Sequence, residues 1–274
     1  MSSETTSSGT APSGTADRAP ALRLDRQGAV ATLWIDHPTR LNAMTFDMWA
    51  SIPALMDEVE RDGDVRVLVL RGAGPKAFSS GADISQFGER RSTEEGVRLW
   101  NDTVQASVAR LAALPKPTVA LVGGYCFGGG VGLALHCDLR YALEDARFSI
   151  PAARLGVAYY PGWLGRLAAL VGPAVAKEIM FTARRYDAGQ ALAAGLVNAV
   201  VAGEDEAMAA VQAIAGLAPL THRASKMAID EAALPGLHGL ARCEAAVLDC
   251  FRSEDYKEGQ AAFRDKRPAS FRGR

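Results

Sequence analysis

The sequence predicts an α/β protein that ends in a helical region. Short apolar runs of strand length alternate with longer stretches of helical period, and beyond Pro173 almost all of the periodicity is helical. Two glycine-rich stretches also follow apolar runs: Ala77-Phe78-Ser79-Ser80-Gly81-Ala82-Asp83 after residues 65–70, and Gly123-Gly124-Tyr125-Cys126-Phe127-Gly128-Gly129-Gly130 after 118–122. Each places bare backbone N–H groups where a strand gives way to a loop or helix.

Residues 22–24 and 29–35 alternate around Arg26-Gln27-Gly28, a hairpin signal. A helix is expected over 45–61, with Met48, Ile52, Leu55, Met56 and Val59 on one face and Pro53 kinking it or marking a later start. The run 65–70 is continuously apolar, as in a strand buried on both faces. A helix over 93–114 closes at Pro115-Lys116-Pro117, followed by a strand at 118–122, a short helix from Gly129, and strands at 139–142 and 147–150. Helices follow at 173–182, 187–194, 204–216, 219–232, 238–251 and 254–265, with a strand at 197–201. The expected division is a disordered leader (1–20), an α/β core (21–200) and a helical C-terminal region (201–274).

The 274 residues are 49% hydrophobic and 22% charged, enough apolar material for a sizeable core. A formal net charge of −1 leaves no electrostatic footprint for nucleic acid or an anionic membrane, so an anionic ligand must be met locally. No stretch approaches the roughly 18 apolar residues of a membrane span. The leader is Ser, Thr, Gly, Ala and Pro, with neither the apolar segment of a secretory signal nor the arginines of a transit peptide. Cys126, Cys137, Cys243 and Cys250 form no C-x-x-C pair and have no histidine cluster, so no metal set is expected. Reduced, packed thiols in a cytoplasmic protein are the expectation.

Glycines before a helix let a ligand approach the backbone, and the helix start presents unpaired N–H groups and a positive dipole end. That arrangement suits an oxyanion or a phosphate; tight helix–strand packing is the alternative. Gly72-Ala73-Gly74-Pro75-Lys76-Ala77 formally matches the dinucleotide pattern G-x-G-x-x-A, but Phe78-Ser79-Ser80-Gly81 opposes the helix that pattern needs.

Taken together, the two loops resemble the oxyanion segments of the crotonase (enoyl-CoA hydratase/isomerase) superfamily. Pro38-Thr39-Arg40-Leu41-Asn42-Ala43, Cys137-Asp138-Leu139-Arg140-Tyr141-Ala142, Arg147-Phe148-Ser149-Ile150-Pro151, Gln190-Ala191-Leu192-Ala193-Ala194-Gly195-Leu196-Val197-Asn198 and Ser253-Glu254-Asp255-Tyr256-Lys257-Glu258-Gly259 extend the resemblance over about residues 22–274. It implies stacked ββα units with a helical C-terminal region that assembles trimers or dimers of trimers. It also implies an acyl-CoA thioester as substrate, with coenzyme A entering as part of that substrate and no separate cofactor. Carried over by position, the N–H groups of Ala82 and Gly129 hold the thioester oxygen. Arg40, Leu41, Ala43, Lys76, Asp83 and Ile84 fall on CoA-binding segments, with Lys266 reaching phosphate across a subunit interface; solvated surface charge is the alternative for Arg40, Lys76, Lys266 and Arg267.

Where hydratases of this superfamily carry two glutamates, this chain has Gly132 and Ala152, and the aspartate of dienoyl isomerases is replaced by Tyr160. Hydration needs one group to activate water and another to manage the proton, which neither position offers. Tyr159 is similar to the tyrosine of methylmalonyl-CoA decarboxylase-like members, which also lack the second glutamate but carry histidine in place of Ala82. Tyr159 and Tyr160 are therefore candidate catalytic groups, the alternative being simple pocket lining. His136 reads as a packed histidine. A non-catalytic acyl-CoA binder is the competing functional class.

Overall fold

The computed structural model describes residues 19–233 and 239–274; the expected leader lies almost wholly outside them, as does His238. Strands β1 (Ala21–Gln27) and β2 (Val30–Asp36) form the expected hairpin, with Gly28 in the left-handed region at φ 58°. They begin a six-stranded sheet, continued by β3 (Val67–Gly72), β5 (Thr118–Val122), β7 (Leu139–Leu143) and β10 (Ala199–Val201) in parallel. A second sheet holds β4 (Ala77–Ser79), β6 (Tyr125–Phe127), β8 (Arg147–Ser149) and β9 (Tyr186–Asp187). Successive strand pairs β3/β4, β5/β6, β7/β8 and β9/β10 each place one strand in each sheet, which is the stacked-unit architecture that the resemblance implies.

Both faces of β3 are covered, which is why its sequence lacks alternation. Leu68 and Leu70 pack into the main core with Trp49, Ile52 and Met56 of α1 (Phe46–Arg61) and with Val108 and Leu111 of α3 (Glu94–Ala112). Val67 and Val69 instead meet Ala207 and Val211 of α8 (Glu204–Ala215). The Thr45 side chain caps α1, and Pro53 is accommodated inside it rather than starting it. The carbonyl that Pro53 deprives of a helical donor, that of Trp49, accepts the Ser107 hydroxyl at 2.6 Å.

The remaining helices are α2 (Phe87–Arg90), α4 (Gly129–Leu135), α5 (Ala152–Leu155), α6 (Pro161–Thr182), α7 (Ala188–Ala193), α9 (Pro219–Ala232), α10 (Leu240–Arg252) and α11 (Glu254–Asp265). The helix expected over 173–182 begins at Pro161, its two pieces meeting at Gly172 (φ 77°, ψ 156°). Gly162, Gly165 and the Gly172-Pro173 break conceal the first piece, although Pro161 is a well-suited first helical residue. Strands β4, β6 and β9 and helices α2 and α5 are too short to carry a period of their own. Among the described residues no helix is long and apolar enough to cross a membrane.

Candidate active site

The two glycine loops meet. Met44 bridges to the first loop through Met44 N to Gly81 O (2.7 Å) and Asp83 N to Met44 O (2.8 Å), so the intervening Ala82 N–H is turned away from that bridge. In the second loop Gly128 adopts φ 52°, ψ −114°, a conformation that favours glycine, and Gly129 opens α4 with the unpaired amide of a helix start. A β-carbon on Gly129 would lie 3.4 Å from Ala82 N, and one on Gly81 would lie 3.0 Å from Gly129 N. Among the described residues neither the Ala82 nor the Gly129 amide has an acceptor. One oxygen placed between them can accept from both, at the positive end of α4.

These amides open into a cavity of about 140 Å³. The Tyr159 hydroxyl reaches its floor, 3.2 Å from where a β-carbon on Gly128 would stand, and its ring meets Trp163 edge-on at 5.5 Å. Burial pushes the Tyr159 phenol up to about 12, against the lowering pull of Arg91. Tyr160 lines the same cavity, 39% exposed, as does the exposed Ile84. A β-carbon on Gly132 would fall 1.7 Å from an atom of the Trp163 ring, so the indole fills the space a side chain at 132 would need. Trp163 Nε1 donates to Gln105 Oε1 at 2.9 Å, which fixes the ring. Ala152 is a buried part of the wall. Among the described residues, none lining this cavity carries a carboxylate or an imidazole.

The other expected contacts divide. Leu41 and Lys76 line a second cavity with Pro38, Thr39, Asn42 and Gly74. Asn42, at φ 57°, donates to Ala73 O (3.0 Å) and Ala77 O (2.7 Å) and accepts from His37 N, holding both walls. Arg40 is tied at 3.2 Å to Asp83 and at 2.7 Å to Ser85. Asp83 caps a short 3-10 turn; burial raises its carboxyl, but the Ser85 hydrogen bonds and the charges of Arg40 and His37 together hold it below the ordinary value. Ala43 is buried with its carbonyl on His37 Nδ1, and Lys266 ends α11; neither lines either cavity. Residues 72–77 lead into β4 rather than a helix, which removes the dinucleotide reading. His136 is packed as expected, its Nδ1 2.7 Å from Gly132 O, and burial lowers it to about 4.

A family model described as enoyl-CoA hydratase/isomerase matches residues 25–274. The chain belongs to the enoyl-CoA hydratase/isomerase family. It is 37% identical to a short-chain-enoyl-CoA hydratase of Clostridium acetobutylicum over 248 residues, covering 89% of this chain and 94% of that protein. It is 36% identical to a crotonyl-CoA hydratase of Syntrophomonas wolfei, covering 90% and 96%. A crystal structure from Magnetospirillum magneticum, described as an enoyl-CoA hydratase/carnithine racemase, superposes with a TM-score of 0.87 at 35% identity, over 92% of this chain and 96% of that one.

In this enoyl-CoA hydratase/isomerase family chain, the pocket residues that escaped the sequence reading include Trp163, Gln105 and Arg91. Trp163 and Gln105 lie 58 positions apart and meet only through the fold. Arg91 stands in an Arg90-Arg91 pair that looks like any solvated charge run.

Proposed function

We propose that this protein converts an acyl-CoA thioester through an enolate whose oxygen is held by the amides of Ala82 and Gly129, and that its reaction is decarboxylase-like. One observation carries this reading: two acceptor-free amides and a protonated phenol converge in a cavity lined by no carboxylate or imidazole. Decarboxylation suits such a site, because the enolate electrons come from the substrate and no base is required. The bond between the α-carbon and the carboxylate breaks, its electron pair enters the enolate, and CO₂ leaves. Tyr159 Oη then gives its proton to the α-carbon, and solvent restores the phenol. A phenol whose pKa is about 12 remains protonated at neutral pH and is a poor base, which fits a donor. The Arg40–Ala43 loop, Lys76, Asp83 and Ile84 are assigned to the CoA portion. Lys266 is assigned to a neighbouring subunit's CoA in a homotrimer or dimer of trimers, built by the exposed apolar surface of α9–α11 that includes Ile229 and Phe263.

Hydration is the second reading, favoured by the names of the relatives. It requires a water-activating base, and at 132 Trp163 occupies the space where one would stand. Incubation with enoyl-CoA and malonyl-type thioesters, read by mass spectrometry, separates the readings. Loss of CO₂ is the expected result; gain of water would replace it with hydration, and no change with binding intact would leave a non-catalytic binder.

A further inference from the structure

The guanidinium of Arg91 stands in the wall of the acyl cavity, beyond the two amides, and the reaction proposed above gives it no task. It lies 4.5 Å from the centroid of Phe87 and 5.9 Å from that of Trp100, stacked on aromatic faces. Among the described residues it forms no ion pair, whereas Arg98 and Arg110 of α3 do; its neighbour Arg90 forms none either and lies over the Phe46 ring. Burial pulls it below its ordinary value, and the facing Tyr160 and Tyr159 only partly offset this. Arginine stays charged in proteins, so the cavity holds a cation that it partly dehydrates. The other lining residues are mostly apolar or aromatic, among them Trp49, Val104, Leu155 and Val157. A half-buried cation facing two phenol groups and no carboxylate is a site for an anion brought by the ligand. Guanidinium pairs with carboxylate through two parallel hydrogen bonds, and phenol hydroxyls can complete the acceptor set.

We propose that Arg91 recognises a carboxylate on the acyl group, so that the ligand is the CoA thioester of a dicarboxylic acid. This rests on the acyl-CoA reading and adds the residue that would recognise an acid on the acyl group. It is independent of whether that carboxylate is the one lost. Because the pairing is made in the bound substrate, its loss raises the dissociation constant rather than removing a transition-state contact.

Dissociation constants of the intact protein for matched thioesters test this: succinyl-CoA against butyryl-CoA, and glutaryl-CoA against pentanoyl-CoA. The acid-bearing member of at least one pair is expected to bind tenfold or more tightly. Arg91→Gln is expected to abolish that preference while leaving the neutral thioester's affinity within about twofold; Arg91→Lys is expected to keep part of it. Equal or tighter binding of both neutral members overturns the proposal without any variant, as does an unchanged preference in a folded Arg91→Gln protein. Failure of every thioester and of free CoA to bind would instead overturn the acyl-CoA reading itself.

Discussion

The floor and the outer wall of the cavity are built on different principles. The floor consists of backbone: Ala82 and Gly129 are brought together by β4, β6 and the first turn of α4, and their chemistry does not depend on their side chains. The wall consists of side chains: Gln105 of α3, Ala152 of α5, Trp163 of α6, Arg91 just after α2, and Tyr159 in the loop between α5 and α6. On the proposed reading, the floor sets what kind of charge is stabilised, while the wall sets which acyl group enters and which proton moves.

The strongest test of the division is Tyr159→Phe. It leaves the floor intact and removes one hydroxyl, so kcat is expected to fall by about 10²–10⁴ with KM little changed in steady-state kinetics. The same assignment sets a pH profile: the acid form is the active one, so the rate stays flat through neutral pH and falls only as pH rises toward about 12. A limb near neutral pH would point to a different group.

Gly129→Ala attacks the floor. Its methyl would stand 3.4 Å from Ala82 N and 3.2 Å from Trp49, crowding the oxygen position. Turnover is expected to drop about 10²-fold, on the scale of losing one such donor, while thermal unfolding barely shifts. Gly132→Ala tests the packing between floor and wall, because its β-carbon collides with Trp163. Overpacking should cost about 1–3 kcal/mol in urea unfolding, and a double-mutant cycle with Trp163→Leu should show strong coupling.

His136 borders the same contact, its ring centroid 5.6 Å from that of Trp163 and tilted by 60°. Its folded value of about 4 lies below the 6.5 of an unperturbed imidazole, burial being the main cause. The unfolded chain therefore binds the proton first: this stabilisation is complete above pH 6.5 and drains away as pH falls toward 4. Between pH 7 and 4.5 it should account for about 2–3 kcal/mol, and His136→Leu should flatten that part of the denaturant-midpoint curve. The smallest effect belongs to the second cavity, the one assigned to CoA in the proposed function. Lys76→Ala should raise KM a few-fold, and more at low salt, because an exposed charge is readily screened.

Much of the floor was legible because glycine loops after buried strands leave a signature in local sequence. Ser79-Ser80-Gly81 refused the helix of a dinucleotide site, and β4 is indeed a strand. Gly132 and Ala152 announced a cavity without glutamates, but nothing in the sequence said that Trp163 fills the space above Gly132. That contact joins α6 to α4, and the glycines of α6 hid the half that carries Trp163. Arg91 was hidden for a related reason: a cation's role depends on what faces it, and Phe87 and Trp100 face it only after α2 and α3 pack together. Arg40 shows the converse, since a cation that suited phosphate on paper is already engaged by Asp83 and Ser85.

The central claim is an enolate formed without a protein base and protonated by Tyr159. It is tested most directly in deuterated water, following hydrogen at the α-carbon of the thioester by mass spectrometry. A substituted malonyl-CoA is expected to lose CO₂ and gain one deuterium at that carbon, while the matching saturated acyl-CoA exchanges nothing in the same time. Rapid exchange of the saturated thioester, or water added to an enoyl-CoA, would reveal a working base and contradict it.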